Sequence, residues 1–395
     1  MTAHAYLQRA AAAAAALTAA GLVAACDVNF KGSSGTKQDT TVIVPSADSA
    51  ARPAGARVAG DSASAPGGVP AVPGDSAAAA AAAAGAASDS AALQLYPTQP
   101  RRGGVVFAFA PGVATTQPRC VWKGAPIPCY SVNGGVLATI PLPADEPAGS
   151  YTLVVDRPAG RITRQVTVAD RDFGRQLVFL DSARYALVRR SGEVARDARA
   201  VRGILSGETP DRQWSGRWRE PLPGARSQGY GVERFYYRSS DSSRAITLSP
   251  TLRTHGAFGT DTTEGGGGGQ EDVPGWRHAG IDTPARRGTF VTAPASGTVA
   301  DVGDYILSGR TVLVDHGQGV YSAYFHLDTA LVRKGDRVRA GRPLGRVGDS
   351  GLATGPHLHY GIYLHGKDVD PAAWRDMPPF ALTQDSTSVA AATRR

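Results

Sequence analysis

Near its C-terminus the chain reads Gly355-Pro356-His357-Leu358-His359, and earlier it reads His278-Ala279-Gly280-Ile281-Asp282. On an extended strand, residues i and i+2 point to the same side, roughly 6–7 Å apart. His357 and His359 could therefore share one site, where one imidazole binds a metal ion and the other reaches the water on it. The two stretches predict metal-dependent chemistry as well as metal binding.

The segment around these stretches, residues 223–376, has a nearly all-β pattern. Glycines interrupt it at short intervals, as the tight turns of antiparallel sheets require. The strand candidates are Thr289–Val291, Gly297–Val302, Thr311–Asp315, Val320–Tyr324 and Leu358–Tyr363. We expect an antiparallel β domain over 223–376 and a disordered tail over 377–395.

Residues 1–26 have the features of a targeting segment. Arg9 provides the positive charge, an alanine-rich apolar run follows, and the segment ends Val23-Ala24-Ala25-Cys26. This ending resembles the lipobox of bacterial lipoproteins and implies lipidation of Cys26; the alternative is an ordinary secretory signal. A membrane-spanning helix is disfavoured because only roughly 16 residues are apolar where about 20 are needed. We expect a membrane-anchored lipoprotein of the cell envelope that faces the periplasm or cell wall.

Residues 27–95 are rich in Ala, Gly, Pro and Ser and have very few bulky apolar side chains. Such a segment buries too little surface to offset the entropy lost on ordering, so a disordered linker is predicted. It could tether the following domains to the membrane, or serve as a spacer without a required length.

Residues 96–172 have short alternating strand patterns at Val105–Ala110, Arg119–Trp122, Val136–Pro141, Tyr151–Val155 and Ile162–Val168. This pattern predicts a small β-sandwich, and the segment resembles immunoglobulin-like domains. Cys120 and Cys129 flank a turn-forming stretch and could form a disulfide in an oxidising compartment, or remain two buried thiols.

Residues 173–222 are predicted to be a helical connector. The apolar residues of one stretch recur at helical spacing, with arginines on the opposite face that we interpret as a solvated surface. The apolar residues are Val194, Ala198, Val201 and Leu205.

The formal net charge of +8 favours contact with anionic envelope polymers or lipid surfaces. Nucleic acid is not an expected partner, because no basic run is interleaved with aromatic residues and the export signal argues against access. The sequence gives no indication of an oligomeric state.

Five landmarks in order resemble the lysostaphin/LytM-type zinc metallopeptidases over roughly residues 173–376. They are His278–Asp282, Thr292–Val299, Tyr324–Leu327, Lys334–Val338 and Gly355–His359. The resemblance implies a mainly β, LytM-like peptidase domain that holds one Zn²⁺. Taken separately, the H-x-H or H-x-x-x-D spacing is a weak signal, whereas together the landmarks are specific.

The resemblance implies that His278, Asp282 and His359 are zinc ligands and that His326 and His357 are catalytic. Three protein ligands leave a fourth position on zinc open for water. One of the two catalytic histidines would accept a proton from this water, and the other would stabilise the developing oxyanion. The sequence leaves the division of these roles open.

The other histidines are interpreted as non-catalytic. His316 also falls on a family landmark, yet it is not a ligand there, so we interpret it as structural. His255 and His365 match nothing and are expected to be solvated loop residues. A further departure is the segment 235–277, which separates the family's arginine, here Arg234, from His278 and could border the substrate groove or be a plain insertion.

These expectations combine into one functional hypothesis, a lipid-anchored zinc endopeptidase that hydrolyses peptide bonds of peptidoglycan, most simply in its cross-links. Two alternatives stay open. One is a non-catalytic wall-binding or amidase-activating lipoprotein, and the other is a zinc protease of protein substrates.

Overall fold

Strands dominate the computed structural model of the chain. The structure describes residues 93–112, 118–132, 134–157, 160–241 and 275–382, together with the backbone of 41–44. The predicted signal segment 1–26 and most of the predicted linker 27–95 lie outside these residues, as does His255. Within the described residues, no helix has both the length and the apolarity to cross a membrane.

The first described part is a sandwich of two four-stranded antiparallel sheets, with orders β2-β3-β7-β6 and β5-β4-β8-β9. Apolar side chains from both sheets form a common core, and Cys120 and Cys129 are joined by a disulfide. The strands are β2 (Gln94–Tyr96), β3 (Val105–Pro111), β4 (Arg119–Trp122), β5 (Ala125–Ile127), β6 (Tyr130–Val132), β7 (Gly135–Pro141), β8 (Gly149–Arg157) and β9 (Gly160–Val168). The five predicted strands are confirmed, while the likeness to immunoglobulin-like domains stays a prediction.

The second part is a single sheet, called here the outer sheet, with the order β1-β10-β11-β12. Its strands are β1 (Thr41–Val44), β10 (Arg175–Leu180), β11 (Glu233–Arg238) and β12 (Gly275–Arg277). β10 and β11 are parallel, and the chain between them contains α1 (Ser182–Val188) and α2 (Ser191–Leu205).

The predicted helical connector 173–222 is only partly helical. α2 buries Val194, Ala198, Val201 and Leu205, so the predicted apolar stripe is confirmed. β10 lies in the same span and corrects the interpretation of the span as purely helical. The six residues of β10 are largely buried on both faces, so they lack the alternation that would have indicated a strand.

The third part, called here the large sheet, is antiparallel throughout, with β13-β20-β17-β16-β15-β18 as its main path. Its strands are β13 (Ile281–Pro284), β14 (Phe290–Thr292), β15 (Gly297–Tyr305), β16 (Gly309–Asp315), β17 (Val320–Ala330), β18 (Arg337–Val338), β19 (Pro343–Val347), β20 (His357–Leu364) and β21 (Lys367–Val369). The expected mainly β, antiparallel fold class is confirmed.

Two short helices follow the large sheet, α3 (Pro371–Arg375) and α4 (Pro379–Leu382). The predicted tail 377–395 therefore begins too early, since Met377 and Ala381 are buried in the core.

These C-terminal helices pack against the sandwich. Phe107 on β3 contacts Trp374 with 5.6 Å between ring centroids, and Phe109 stacks on Phe380 at 5.5 Å. The face of β3 that points away from the core of the sandwich is therefore buried against the large sheet's own core cluster.

Candidate metal centre

Pairing of β13 with β20 brings the two sequence motifs together. In this antiparallel ladder Asp282 lies directly opposite His359, and Pro284 lies opposite His357. Directly opposite residues in antiparallel strands have Cβ atoms about 4.5–5.5 Å apart, so the register alone places the Asp282 and His359 side chains in contact. His278 lies between β12 and β13, four positions before Asp282.

The three predicted ligand atoms form a nearly equilateral triangle. His278 Nε2 lies 3.0 Å from Asp282 Oδ1 and 2.9 Å from His359 Nδ1, and His359 Nδ1 lies 3.0 Å from Asp282 Oδ1. All three residues are buried, and they form a group that could hold a metal ion. The structure thus brings together the three residues that the sequence predicted as ligands.

The hydrogen bonds around this group fit a cation. Because His278 donates from Nδ1 to Gly229 O at 2.6 Å, its Nε2 has a free lone pair. None of the residues that the structure describes hydrogen-bonds to the buried His359 Nε2, and a proton there leaves the lone pair of Nδ1 pointing at the same place. Two imidazole lone pairs and a carboxylate oxygen then converge on one buried point. A metal ion satisfies all three at once.

Arg234 holds the other oxygen of the carboxylate. Its Nη2 donates to Asp282 Oδ2 at 2.7 Å, and its Nε donates to Gln176 Oε1 at 2.8 Å. Burial opposes ionisation of Asp282, but neighbouring positive charge, that of Arg234 in particular, outweighs it and holds the pKa of the carboxyl well below its ordinary value. Asp282 is therefore a carboxylate, as a metal ligand must be.

The two histidines predicted as ligands are neutral. Burial, reinforced by the positive charge of Arg234, lowers the pKa of His278 to about 4, and burial likewise lowers the pKa of His359. At neutral pH both imidazoles are unprotonated and can coordinate a metal through a ring nitrogen.

The two predicted catalytic histidines lie beside this triangle. The ring of His326 is 4.7 Å from the ring of His357, centroid to centroid, and His357 Nε2 is 3.8 Å from Asp282 Oδ1. His326 donates from Nδ1 to Ser350 O, and His357 donates from Nδ1 to Gly355 O. Both rings are thus fixed with their Nε2 atoms as acceptors.

The backbone at His326 is unusual. It has a φ of 60°, in the left-handed region that residues with a side chain rarely adopt. Burial and the adjacent His357 and His359 place the pKa of His326 well below its ordinary value, so His326 is neutral as well. A conformation of this kind is retained where the surrounding structure determines the direction of the side chain.

Two cavities flank the metal group, with volumes of about 270 and about 100 Å³. Gln176, Gln228, Thr354 and His357 line part of the larger one, and the smaller one is lined mainly by apolar and aromatic side chains. Arg234, Tyr236 and Leu352 line both, so the outer sheet forms a wall of the site.

The remaining histidines lie apart from the metal group. His316 is fully buried, with Nδ1 bonded to Ser296 O and Nε2 to Ser322 Oγ, which agrees with its structural interpretation. The expectation that His365 is solvated is wrong. Its side chain is largely buried, and Nδ1 lies 2.6 Å from Glu208 Oε1. The sequence could not indicate this pair, because its members are 157 positions apart.

Three residues that could hold a metal ion, two adjacent histidines and an antiparallel sheet are the combination that the resemblance to metallopeptidases implied. Residues 276–371 match Peptidase family M23, and this part of the chain is an M23 peptidase domain, as the sequence landmarks implied.

Two curated relatives illustrate the match. The DD-carboxypeptidase/endopeptidase Mpg of Neisseria meningitidis is 38% identical over 168 residues, 42% of this chain and 34% of that protein. The murein hydrolase activator EnvC of Escherichia coli is 39% identical over 99 residues, 25% of this chain and 23% of that protein. The chain thus matches only about a third or less of the length of either relative.

Among solved structures, a Pseudomonas aeruginosa protein assigned to peptidase M23 superposes with a TM-score of 0.49 at 24% identity. The superposition covers 70% of this chain and 95% of that one.

Proposed function

We propose that the chain is a zinc-dependent endopeptidase that hydrolyses peptide bonds of bacterial peptidoglycan, in particular its cross-links. The observation that carries the proposal is the convergence of His278, Asp282 and His359 beside His326 and His357. Peptidoglycan as the substrate rests on the printed name of a Vibrio cholerae relative, Peptidoglycan DD-endopeptidase ShyA, which is 36% identical over 93 residues, 24% of this chain and 22% of that protein.

Zinc is the metal that suits this donor set. Two imidazole nitrogens and one carboxylate oxygen are typical of catalytic zinc sites, which keep a further position for water or substrate. Bound zinc would lower the pKa of a water molecule towards neutrality and polarise the scissile carbonyl.

The protein's own groups would move the protons. His357 Nε2, held as an acceptor by the Nδ1–H to Gly355 O bond, accepts a proton from the attacking water and can deliver it to the leaving amine. His326 Nε2 faces the same site as a second acceptor, because its Nδ1–H is bonded to Ser350 O. We therefore assign proton transfer to His357, and to His326 a hydrogen bond that its Nε2 accepts from the attacking water and that orients this water.

The proposed location is the cell envelope. Lipidation at Cys26 would anchor the chain to a membrane, and the linker 27–95 would let the catalytic part reach the wall. The basic charge of +8 favours residence near anionic envelope polymers. These features support peptidoglycan over nucleic acid as the partner.

A second candidate is a non-catalytic activator of other wall enzymes, because EnvC is named a murein hydrolase activator. The complete ligand set and the ordered histidine pair favour catalysis in this chain. A zinc protease of protein substrates is the third candidate, and the identity of the cleaved bond distinguishes it.

The test is digestion of intact peptidoglycan by the purified protein, with products identified by mass spectrometry. His359→Ala is expected to lose zinc and hydrolysis together, whereas His357→Ala keeps zinc and loses at least about a hundredfold in rate. His365→Ala, whose ring pairs with Glu208 away from the metal group, serves as the matched control and retains both. Hydrolysis that persists in a chelator would contradict the mechanism, and wild-type protein that holds zinc but cleaves no wall peptide would favour the activator.

A further inference from the structure

We propose that Gln176 is a positioning residue for the metal centre. Its side-chain oxygen orients Arg234 so that Arg234 holds one oxygen of Asp282 and leaves the other for the metal. The inference rests on the proposed metal-dependent function, and it extends the site to β10, outside the M23 match at 276–371.

The outer sheet aligns the necessary side chains in one row. Gln176 on β10 is the register partner of Arg234 on β11, and Arg234 is the partner of Trp276 on β12. Register partners lie on the same face of a sheet. Gln176, Arg234 and Asp282 also line the same cavity of about 270 Å³.

The hydrogen bonds form a chain that ends at the metal ligand. Gln176 Oε1 accepts from Arg234 Nε at 2.8 Å, Arg234 Nη2 donates to Asp282 Oδ2 at 2.7 Å, and Asp282 Oδ1 faces the two ligand histidines. A guanidinium is a rigid planar fork, so fixing its Nε also fixes the direction of its Nη2. Gln176 thereby determines where Arg234 meets the carboxylate.

Because little water reaches this hydrogen bond, loss of the Gln176 oxygen would not be compensated by solvent. Gln176 is 3% exposed, and the Arg234 side chain is 16% exposed. Without an oxygen at position 176, the partly buried Nε–H of Arg234 would lose this partner, and the guanidinium would turn to find another. Asp282 would then lose the contact that keeps Oδ2 away from the metal. Mutation of a group that orients a metal ligand commonly weakens metal binding 10–100-fold.

Two substitutions in the full chain test the proposal. Gln176→Met keeps the length of the side chain and removes the acceptor, whereas Gln176→Glu keeps an acceptor at the same place. The matched control is Gln213→Met. Gln213 is partly buried, and its side chain forms hydrogen bonds with Thr298 and Asp315 instead of with the metal group. The measurement is the zinc dissociation constant from competition with a chromophoric chelator, with circular dichroism to verify folding.

We expect Gln176→Met to bind zinc about tenfold more weakly, while Gln176→Glu and Gln213→Met stay within about threefold of wild type. Wild-type affinity in folded Gln176→Met would overturn the proposal, as would equal weakening in Gln176→Glu or Gln213→Met. Because zinc affinity is measured without substrate, this outcome is separate from failure of the proposed hydrolysis. A wild-type chain that binds no zinc would instead overturn the proposed function.

Discussion

At the scale of single residues, Gly280 explains why the first metal motif needs a glycine between its histidine and its aspartate. A Cβ atom at this position would lie 2.4 Å from Tyr360 O and 2.7 Å from His359 Nε2. The backbone oxygen belongs to β20 and moves only if the β13–β20 ladder moves. We therefore expect Gly280→Ala to displace His359 and weaken zinc binding tenfold or more, as measured by chelator competition.

The control for this substitution is Gly192→Ala in α2, where the added methyl group comes within 4 Å of no atom in the described part of the chain. Its zinc affinity should equal that of wild type. Unchanged zinc affinity in a folded Gly280→Ala protein would mean that β13 and β20 can move apart enough to accept the methyl group. The close approach of the two strands would then not require a glycine at this position.

His316 makes folding stability depend on pH. Burial lowers its pKa to about 4, below the ordinary value of about 6.5 expected in the unfolded chain. As pH falls from about 6.5 to 4, only the unfolded state takes up the proton. The free energy of unfolding therefore falls by up to ~1.4 kcal/mol per pH unit, about 3 kcal/mol in all.

The check is urea unfolding of the metal-free protein over this pH range, for wild type and His316→Gln. The buried ligand histidines titrate in both proteins, so the difference between the two curves isolates His316. The slope should be shallower in the variant, and identical slopes would contradict the assignment.

The resemblance to a known family could mark the predicted metal and catalytic histidines, because each motif that carries it is short and lies on or next to a single strand. The contacts of Arg234 could not. Its partner Asp282 is 48 positions away, and its other partner Gln176 lies in a segment expected to be helical. No local spacing encodes a contact of this kind, because it depends on how β10, β11 and β13 come together.

At the scale of elements, α2 carries two glycines on a helix whose buried stripe the sequence predicted. Gly203 is exposed, and a Cβ there would have no atom of the described residues within 4 Å. We expect Gly203→Ala to raise the free energy of unfolding by about 0.5–1 kcal/mol, because alanine loses less backbone entropy in a helix. Urea denaturation measures the change.

Gly216→Ala is the contrasting variant. Its Cβ also meets no atom, but its φ of 69° is in the left-handed region. The substitution should destabilise the protein by roughly 1 kcal/mol. Equal changes in the free energy of unfolding for Gly203→Ala and Gly216→Ala would mean that the backbone conformation of the glycine does not determine the effect of the substitution.

The elements that the sequence predicted have a regular period. β3, β4, β7, β8 and β9 alternate or carry compact apolar runs between turn residues, and α2 repeats at helical spacing. The sequence of β10 is as apolar as those of the predicted strands. Its formation as a strand depends on pairing with β1 and β11, which are distant in sequence. Its pairing with these strands is therefore a property of the tertiary fold.

At the scale of the whole molecule, the sandwich and the large sheet share one apolar cluster. Phe107 of β3 packs on Trp374, and Tyr230 joins the two parts by hydrogen bonds. The Tyr230 hydroxyl donates to Asp368 and accepts from the backbone N–H of Ala144. A module that served only as a spacer would not need such a contact, so we expect the two parts to unfold together.

Phe107→Ala tests this coupling. Removing a buried phenylalanine typically costs about 3–5 kcal/mol, and here the loss falls on the contact between the two parts. Hydrogen exchange should show β8–β9 of the sandwich and β16–β17 of the large sheet losing protection together at a lower denaturant concentration. Phe290→Ala is the control, since Phe290 is 48% exposed and contacts the Arg346 guanidinium at 4.0 Å, a contact worth about 1 kcal/mol at most. If Phe107→Ala loosened the sandwich and left the midpoint of the large sheet unchanged, the two parts would be independent domains, and the shared cluster would contribute to neither one's cooperativity.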